Sequence, residues 1–318
     1  MGENLQRKVL PYFWPPSLIL RQVGSILYFG QLIEWHKLPY WFLKSSIKTL
    51  PVASGAYGMG CIGFPAHPVW EVTSACNLRC IHCHVSSGES HPDELTTQEG
   101  FQLLSEITSI KEFRMLVLTG GEPLVHNDIF ELINYGKKLG LRFVIATNGT
   151  LINEEIVLRL KENGVVGVAI SLDSSIPQVH NSIRNHPRAY ELAMQGIENV
   201  KRVGLALQIN FTATKYNLDH LEDTINMVDD LGADIMLVYQ LVCVGRGQNV
   251  GESALEKMDN NKLPSLIANR QKLSHTVIEP IAAPQFNEIC GGCRGMAWTS
   301  TGDYLAEDPS CFIRDQDE

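Results

Sequence analysis

Three cysteines, Cys76, Cys80 and Cys83, stand in the run Ser74-Ala-Cys-Asn-Leu-Arg-Cys-Ile-His-Cys83 at the spacing C-x3-C-x2-C. Three thiolates this close together can grip three corners of a cubane iron–sulfur cluster. The fourth iron is then left without a protein ligand. A [4Fe–4S] centre that only relays electrons usually has four cysteines, so an open iron reads as a place to bind and reduce a small molecule. Zinc is the competing reading. Structural zinc takes four ligands in two closely spaced pairs, and His82 and His84 flank Cys83. Side chains at neighbouring positions point in different directions, however, and cannot all reach one tetrahedral ion.

A second group follows near the end of the chain. Cys290 and Cys293 form a C-x2-C pair and Cys311 comes 18 positions later, after a Thr301-Gly-Asp-Tyr stretch that reads as a hairpin turn. The turn would bring Cys311 back towards the pair. Three cysteines again leave a ligand unassigned. Cys243 is the first choice for it, ahead of Cys61, a nearby histidine or carboxylate, or a substrate. A zinc-ribbon fragment is the alternative for this group. Cys61 itself reads as a free thiol in a glycine-rich linker.

The elements that must position these groups alternate regularly from residue 69. Strands are expected at 69–73, 115–119, 142–146, 165–172, 206–212 and 235–241. Helices are expected at 97–110, 127–139 (with Asn127 as N-cap), 153–162, 187–203 and 218–231. Near-continuous apolar runs such as Met115-Leu-Val-Leu118 suit parallel strands buried on both faces. Right-handed β–α crossovers curl such a series into a partial barrel of six strands, open on one side. The fold class is therefore α/β, a partial (β/α)6 TIM-like barrel. Residues 67–248 form it, preceded by an aromatic and basic helical extension and linker (1–66) and followed by a small C-terminal domain (249–318).

In such barrels the chemistry sits where strands end, and the informative residues do follow the strands. The three cysteines come after the first, Gly120-Gly-Glu-Pro123 after the second, Thr147-Asn-Gly149 after the third, and Ser171 and Asp173 after the fourth. Arg184 lies just beyond, a candidate for a carboxylate. Val244-Gly-Arg-Gly247 follows the sixth. Gly120 and Gly121 let the backbone approach a ligand, and Glu122 can accept hydrogen bonds from an ammonium group.

Composition limits the function classes. Of 318 residues 44% are hydrophobic and 19% charged, enough for an ordinary globular core. The net charge of −9 leaves no basic nucleic-acid footprint. Residues 1–50 hold six cations and two acids, so +4 falls there and −13 on the rest. Aromatic residues mixed with those cations suit either packing on the main domain or peripheral contact with a membrane surface. No run of 18 apolar residues spans a membrane. Clustered cysteines without a secretory signal suit metal ligation in the cytoplasm more than disulfides.

C-x3-C-x2-C after the first strand, with Gly-Gly-Glu-Pro after the second, resembles the radical S-adenosylmethionine (SAM) superfamily over about residues 69–248. The resemblance implies that Cys76, Cys80 and Cys83 hold a [4Fe–4S] cluster whose open iron is chelated by SAM. Gly120, Gly121, Glu122 and Pro123 match the segment at the methionine amino group. Asn148, Ser171 and Asp173 match polar positions around the ligand. Arg184 resembles an arginine that meets the SAM carboxylate, and His82 takes the place of an aromatic beside the adenine. The implied chemistry is reductive cleavage of SAM to a 5′-deoxyadenosyl radical that abstracts hydrogen from a substrate. An electron donor such as flavodoxin or ferredoxin is implied with it. The C-terminal cysteines resemble the SPASM and Twitch auxiliary-cluster domains, with Cys290, Cys293, Cys311 and Cys243 as ligands of a second cluster. Such members act on ribosomal peptides or tetrapyrroles, the leading expectation. A lipid or nucleoside-sugar substrate is the alternative within the enzyme reading, and a non-catalytic iron–sulfur carrier is the alternative to it.

Overall fold

The computed structural model describes residues 68–281, apart from 111, 112, 114, 257, 258, 260–262, 264, 265, 268 and 272. The extension 1–66 with Cys61, and the group Cys290, Cys293 and Cys311, lie outside the described residues.

Among the described residues seven parallel strands pair in sequence order: β1 Val69–Thr73, β2 Met115–Gly120, β3 Arg142–Thr147, β4 Val165–Ser171, β5 Ala206–Ala213, β6 Ile235–Gln240 and β7 Val277–Ile281. Helices cross between them: α1 Thr97–Ser109, α2 Ile129–Lys138, α3 Glu154–Glu162, α4 Pro177–Arg184, α5 Ala189–Val203 and α6 Leu221–Asp230. Among the described residues β1 and β7 are the two outer strands of the sheet.

Local chemistry sets most of these boundaries. Thr96 caps α1 in a reciprocal box with Glu99. Asn153 caps α3 by accepting from Ile156 N at 2.8 Å. Gly204 ends α5 at φ +73°, a left-handed conformation that glycine adopts without penalty.

Three expectations need correction. The sheet has a seventh strand, β7, which pairs with β6 from Val277↔Ile235 to Ile281↔Tyr239. It falls in the stretch assigned to the C-terminal domain. Its sequence contains Pro280, which weakens the strand signal and is tolerated because an edge strand needs donors on one side only. Asn127 is not the cap of α2; Asp128 is, because a 3-10 turn at Pro123–Val125 delays the helix. The helix expected at 187–203 is preceded by α4, a two-turn helix with Pro177 in its first turn.

The core lies between sheet and helices. Leu207, Ile209, Phe211 and Ala213 of β5 join Ile197, Val200, Ile225 and Val228 in it. The alternate residues Ala206, Gln208, Asn210 and Thr212 are only half-buried. β3 alternates in the same way. The opposite face is therefore partly accessible there, whereas the apolar runs 115–118 of β2 and 165–170 of β4 are mostly buried on both faces, as expected. Among the described residues no helix is long and apolar enough to cross a membrane.

Candidate active site

The cysteine loop leaves β1 and is closed at its base. Cys76 N donates to Gly88 O at 2.9 Å and Gly88 N to Ser74 O at 2.8 Å. Glu94 clamps the same base. Its carboxylate accepts from Ser74 N (2.7 Å), Ser74 Oγ (2.7 Å), His91 N (2.8 Å) and Thr73 Oγ1 (2.9 Å). Burial pushes this carboxyl up, but the hydrogen bonds from Ser74, His91 and Thr73 outweigh it and hold Glu94 at about 2. The far side of the loop is held by Arg246, from the segment after β6. Its N donates to Cys83 O (2.9 Å), its Nε to Cys80 O (2.9 Å) and an Nη to Ser87 O (2.6 Å). Gly245, at φ +56°, brings that segment so close that a Cβ would lie 2.3 Å from His84 O.

This loop presents three thiols differently. Cys80 is buried, and Cys76 and Cys83 are half-buried. Cys76 Sγ accepts from Leu78 N and Cys83 Sγ from Ser87 N, each at 3.4 Å. Cys80 Sγ accepts from an Arg184 guanidinium nitrogen at 3.8 Å. Burial raises the Cys76 and Cys80 thiols above their usual range. The three also repel one another as thiolates, so bound metal is what would favour deprotonation here. Soft ligands with N–H donors on sulfur, grouped on one closed loop, fit an iron–sulfur cluster. The flanking histidines diverge. His82 is turned inward, 3.9 Å from Asp173, whereas His84 is exposed, 3.8 Å from Glu71. No group of three or more His, Cys, Asp or Glu side chains among the described residues converges on one metal ion.

The Gly-Gly-Glu-Pro turn packs directly under this loop. Gly121 N donates to Thr73 O at 2.7 Å and Glu122 N to Ala75 O at 2.8 Å. A Cβ on Gly120 would lie 2.2 Å from Thr73 O, and one on Gly121 2.0 Å from Ala75 O. Both glycines therefore serve the approach of backbone to backbone beside Cys76. Glu122 is fully buried. Thr147 Oγ1 lies 2.8 and 2.9 Å from its two oxygens, and Asn148 N (2.8 Å) and Leu124 N (3.2 Å) donate to it. Burial outweighs these bonds and raises its carboxyl to about 7. Pro123 is buried in the first turn of the 3-10 helix. Asn148 Nδ2 donates to Asn77 Oδ1 at 2.8 Å and reaches Cys76 Sγ at 4.0 Å. The ends of β2 and β3 are thus tied to the cysteine loop.

Beyond β4, Ser171 ends the strand half-buried and pairs in register with Asn210. Asp173 is fully buried. Its Oδ1 accepts from Thr212 N at 3.1 Å, and its Oδ2 lies 2.7 Å from Arg184 Nε. The latter contact is an ion pair too bent to be a hydrogen bond. Burial pushes the Asp173 carboxyl up, but Arg184, His82 and His180 outweigh it and hold it below its usual range. His82 is lowered to about 4 and His180 to about 3, chiefly by burial. His180 Nδ1 accepts from Asp173 N at 3.0 Å. His82 Nδ1 is buried without a partner, an atom that a bound ligand could satisfy. Cys243 is buried in the segment after β6, beside Gly251; the cysteines expected to share a cluster with it lie outside the described residues.

The residues expected around the rim, from Cys76 to Arg184, are thus brought to one end of the sheet. Glu94, His180 and Arg246 were missed. Arg246 had a signal, a cation between two glycines at a strand end. Glu94 had none, since its partners are set by the loop's path.

An open parallel β/α sheet with three grouped thiols on its C-terminal rim defines a class of iron–sulfur enzyme scaffolds. The sequence matches the radical SAM superfamily over residues 70–228, and the chain belongs to that superfamily. It is 38% identical over 221 residues to an AdoMet-dependent heme synthase of Methanosarcina barkeri, covering 69% of this chain and 62% of that protein. It is 34% identical to the mycofactocin maturase MftC of Mycobacterium ulcerans, over 58% of this chain and 49% of that one. The chain thus spans about three fifths of its heme synthase relatives, between 57% and 62%. Its fold is like that of Streptococcus suis SuiB bound to S-adenosylmethionine, with a TM-score of 0.58 at 17% identity, over 80% of this chain and 60% of that one.

Proposed function

We propose that this chain is a radical SAM enzyme acting on a tetrapyrrole-like substrate. The observation that carries the reading is the closed loop that presents Cys76, Cys80 and Cys83 together at the rim. The similarity to heme synthases favours the tetrapyrrole. The similarity to MftC and the SuiB-like fold, which has been seen with its precursor peptide, favour a peptide as the second reading. When bound, the cluster and SAM supply one-electron cleavage of a carbon–sulfur bond and hydrogen abstraction from the substrate. The chain's part is to hold, orient and shield. Cys76, Cys80 and Cys83 hold the cluster. Gly120, Gly121 and Asn148 fix the loop at Cys76. Glu122 braces β2 against β3 from below. Ser171, Asp173 and His82 line the side of the site where β4 ends.

The C-terminal group, with Cys243, would hold a second cluster in a Twitch- or SPASM-like domain. An electron donor such as flavodoxin or ferredoxin would serve the first. Residues 1–50 would make the membrane contact, read out by flotation with anionic liposomes before and after their deletion.

Anaerobically reconstituted protein, given dithionite and SAM, is expected to release 5′-deoxyadenosine, and Cys80→Ala is expected to abolish the release. No product above that control would sink the enzyme reading and leave the carrier. Iron content near about eight per chain supports two [4Fe–4S] clusters, and about four removes the second. Product formation with a tetrapyrrole or with a precursor peptide separates the two substrates.

A further inference from the structure

We propose that Arg184 is a positioning residue that sets the reduction potential of the cluster on Cys76, Cys80 and Cys83, acting through the Cys80 thiolate with Asp173 as counterweight. This rests on the radical SAM reading above. Arg184, which the family resemblance implies meets a ligand carboxylate, also stands beside a carboxylate of the chain, Asp173, 2.7 Å from its Nε. Its other end lies 3.8 Å from Cys80 Sγ. All three groups are buried. Cys76 and Cys83 accept from neutral backbone N–H groups, so the three thiols are not equivalent.

The backbone fixes this arrangement. Ile81 N donates to Ile183 O at 3.0 Å, pinning the cysteine loop to the last turn of α4. That carbonyl would otherwise be a free acceptor at a helix end. The bond joins the residue after Cys80 to the residue before Arg184, so sulfur and guanidinium cannot drift apart. Among the charged groups around Cys80, Arg184 favours the thiolate, and Asp173 and the neighbouring thiolates oppose it.

Iron–sulfur potentials follow net charge, hydrogen bonds to sulfur and exposure. Reduction adds one negative charge to the cluster. A cation donating to a ligand sulfur stabilises the reduced form and raises the potential. An adjacent carboxylate lowers it. Both effects are large in a dry site because little solvent screens them. The pair therefore acts as two opposed settings on one sulfur.

The test is an EPR-monitored redox titration of the reconstituted full chain. It follows the cluster whose reduced signal responds to added SAM. Absence of any SAM-responsive signal in the native protein would refute the radical SAM reading itself. Given that signal, Arg184→Gln is expected to cut the reduced-to-oxidised ratio at fixed potential about tenfold, which is about 59 mV for one electron. Arg184→Lys recovers at least half of the shift, and Asp173→Asn moves the potential the other way. A purely structural role would change cluster loading without shifts of opposite sign. Should Arg184→Gln fail to load, the double variant with Asp173→Asn leaves neither charge of the pair unbalanced and is read instead. Its potential is expected below the native value, because the nearer of the two charges is lost. Shifts of equal sign in the two single variants, or a native potential in the double, overturn the proposal.

Discussion

Two carboxylates near the cysteine loop titrate in opposite senses, and both are stability groups. Glu94 is held at about 2, below its usual 4.5. The stability it gives is present above about 4.5 and lost as pH falls through about 2. Glu94→Ala is expected to cost about 1–2 kcal/mol at neutral pH, discounted for its partial exposure, and to remove part of the acid-induced loss. Glu122 is raised to about 7. Its preference for the protonated form stabilises the fold below about 4.5, and that contribution disappears as pH rises through 7. Glu122→Gln is expected to flatten this decline while destabilising the protein at low pH, since an NH2 then faces the donors on Asn148 and Thr147. Urea midpoints of the apo protein between pH 3 and pH 8 read both effects. Glu122 also shows the limit of reading a residue alone. Its type and place were legible, but burial and three protein donors make it a brace within the rim.

At the scale of elements, the site is a set of strand-end segments stapled together. The turn after β2 fits under the loop after β1 only without Cβ atoms. Gly121→Ala would place carbon 2.0 Å from Ala75 O, which is backbone and cannot swing aside. We expect a loss of at least about 2–3 kcal/mol and sharply reduced iron loading, measured by thermal melts and iron assay. Arg246 ties the segment after β6 to Cys80, Cys83 and Ser87 in the loop after β1. Arg246→Ala is expected to leave the melting of the sheet nearly unchanged. It should speed amide exchange at 80–87 and hasten iron loss. Unaltered exchange there would show that the staple is dispensable. The motif spacings identified the segments, but the contacts of Arg246 join residues more than 150 positions apart, which no local pattern encodes.

At the scale of the whole molecule the sheet continues beyond the sixth strand that the sequence suggested. β6 contributes the buried Ile235, Met236, Leu237 and Val238, and β7 pairs along its length. A chain stopped at 248 leaves that strand as a bare edge and is expected to aggregate or lose a cooperative melt. A chain stopped at 281 keeps β7 and should remain folded. Size-exclusion chromatography and thermal unfolding distinguish them; equal cooperativity in both would contradict the role given to β7. What the sequence determined by itself was periodic or chemically specific. Six strands followed from apolar runs between glycine and proline stops, and the expectation of a cluster site, with membership of the superfamily, from three cysteines whose spacing suits few other purposes. Only the tertiary structure decided the seventh strand, whose signal is blunted by Pro280 in the edge position that tolerates it. It alone paired Arg184 with both Asp173 and Cys80, because the partner of a buried charge is chosen by which side chains the fold brings within reach.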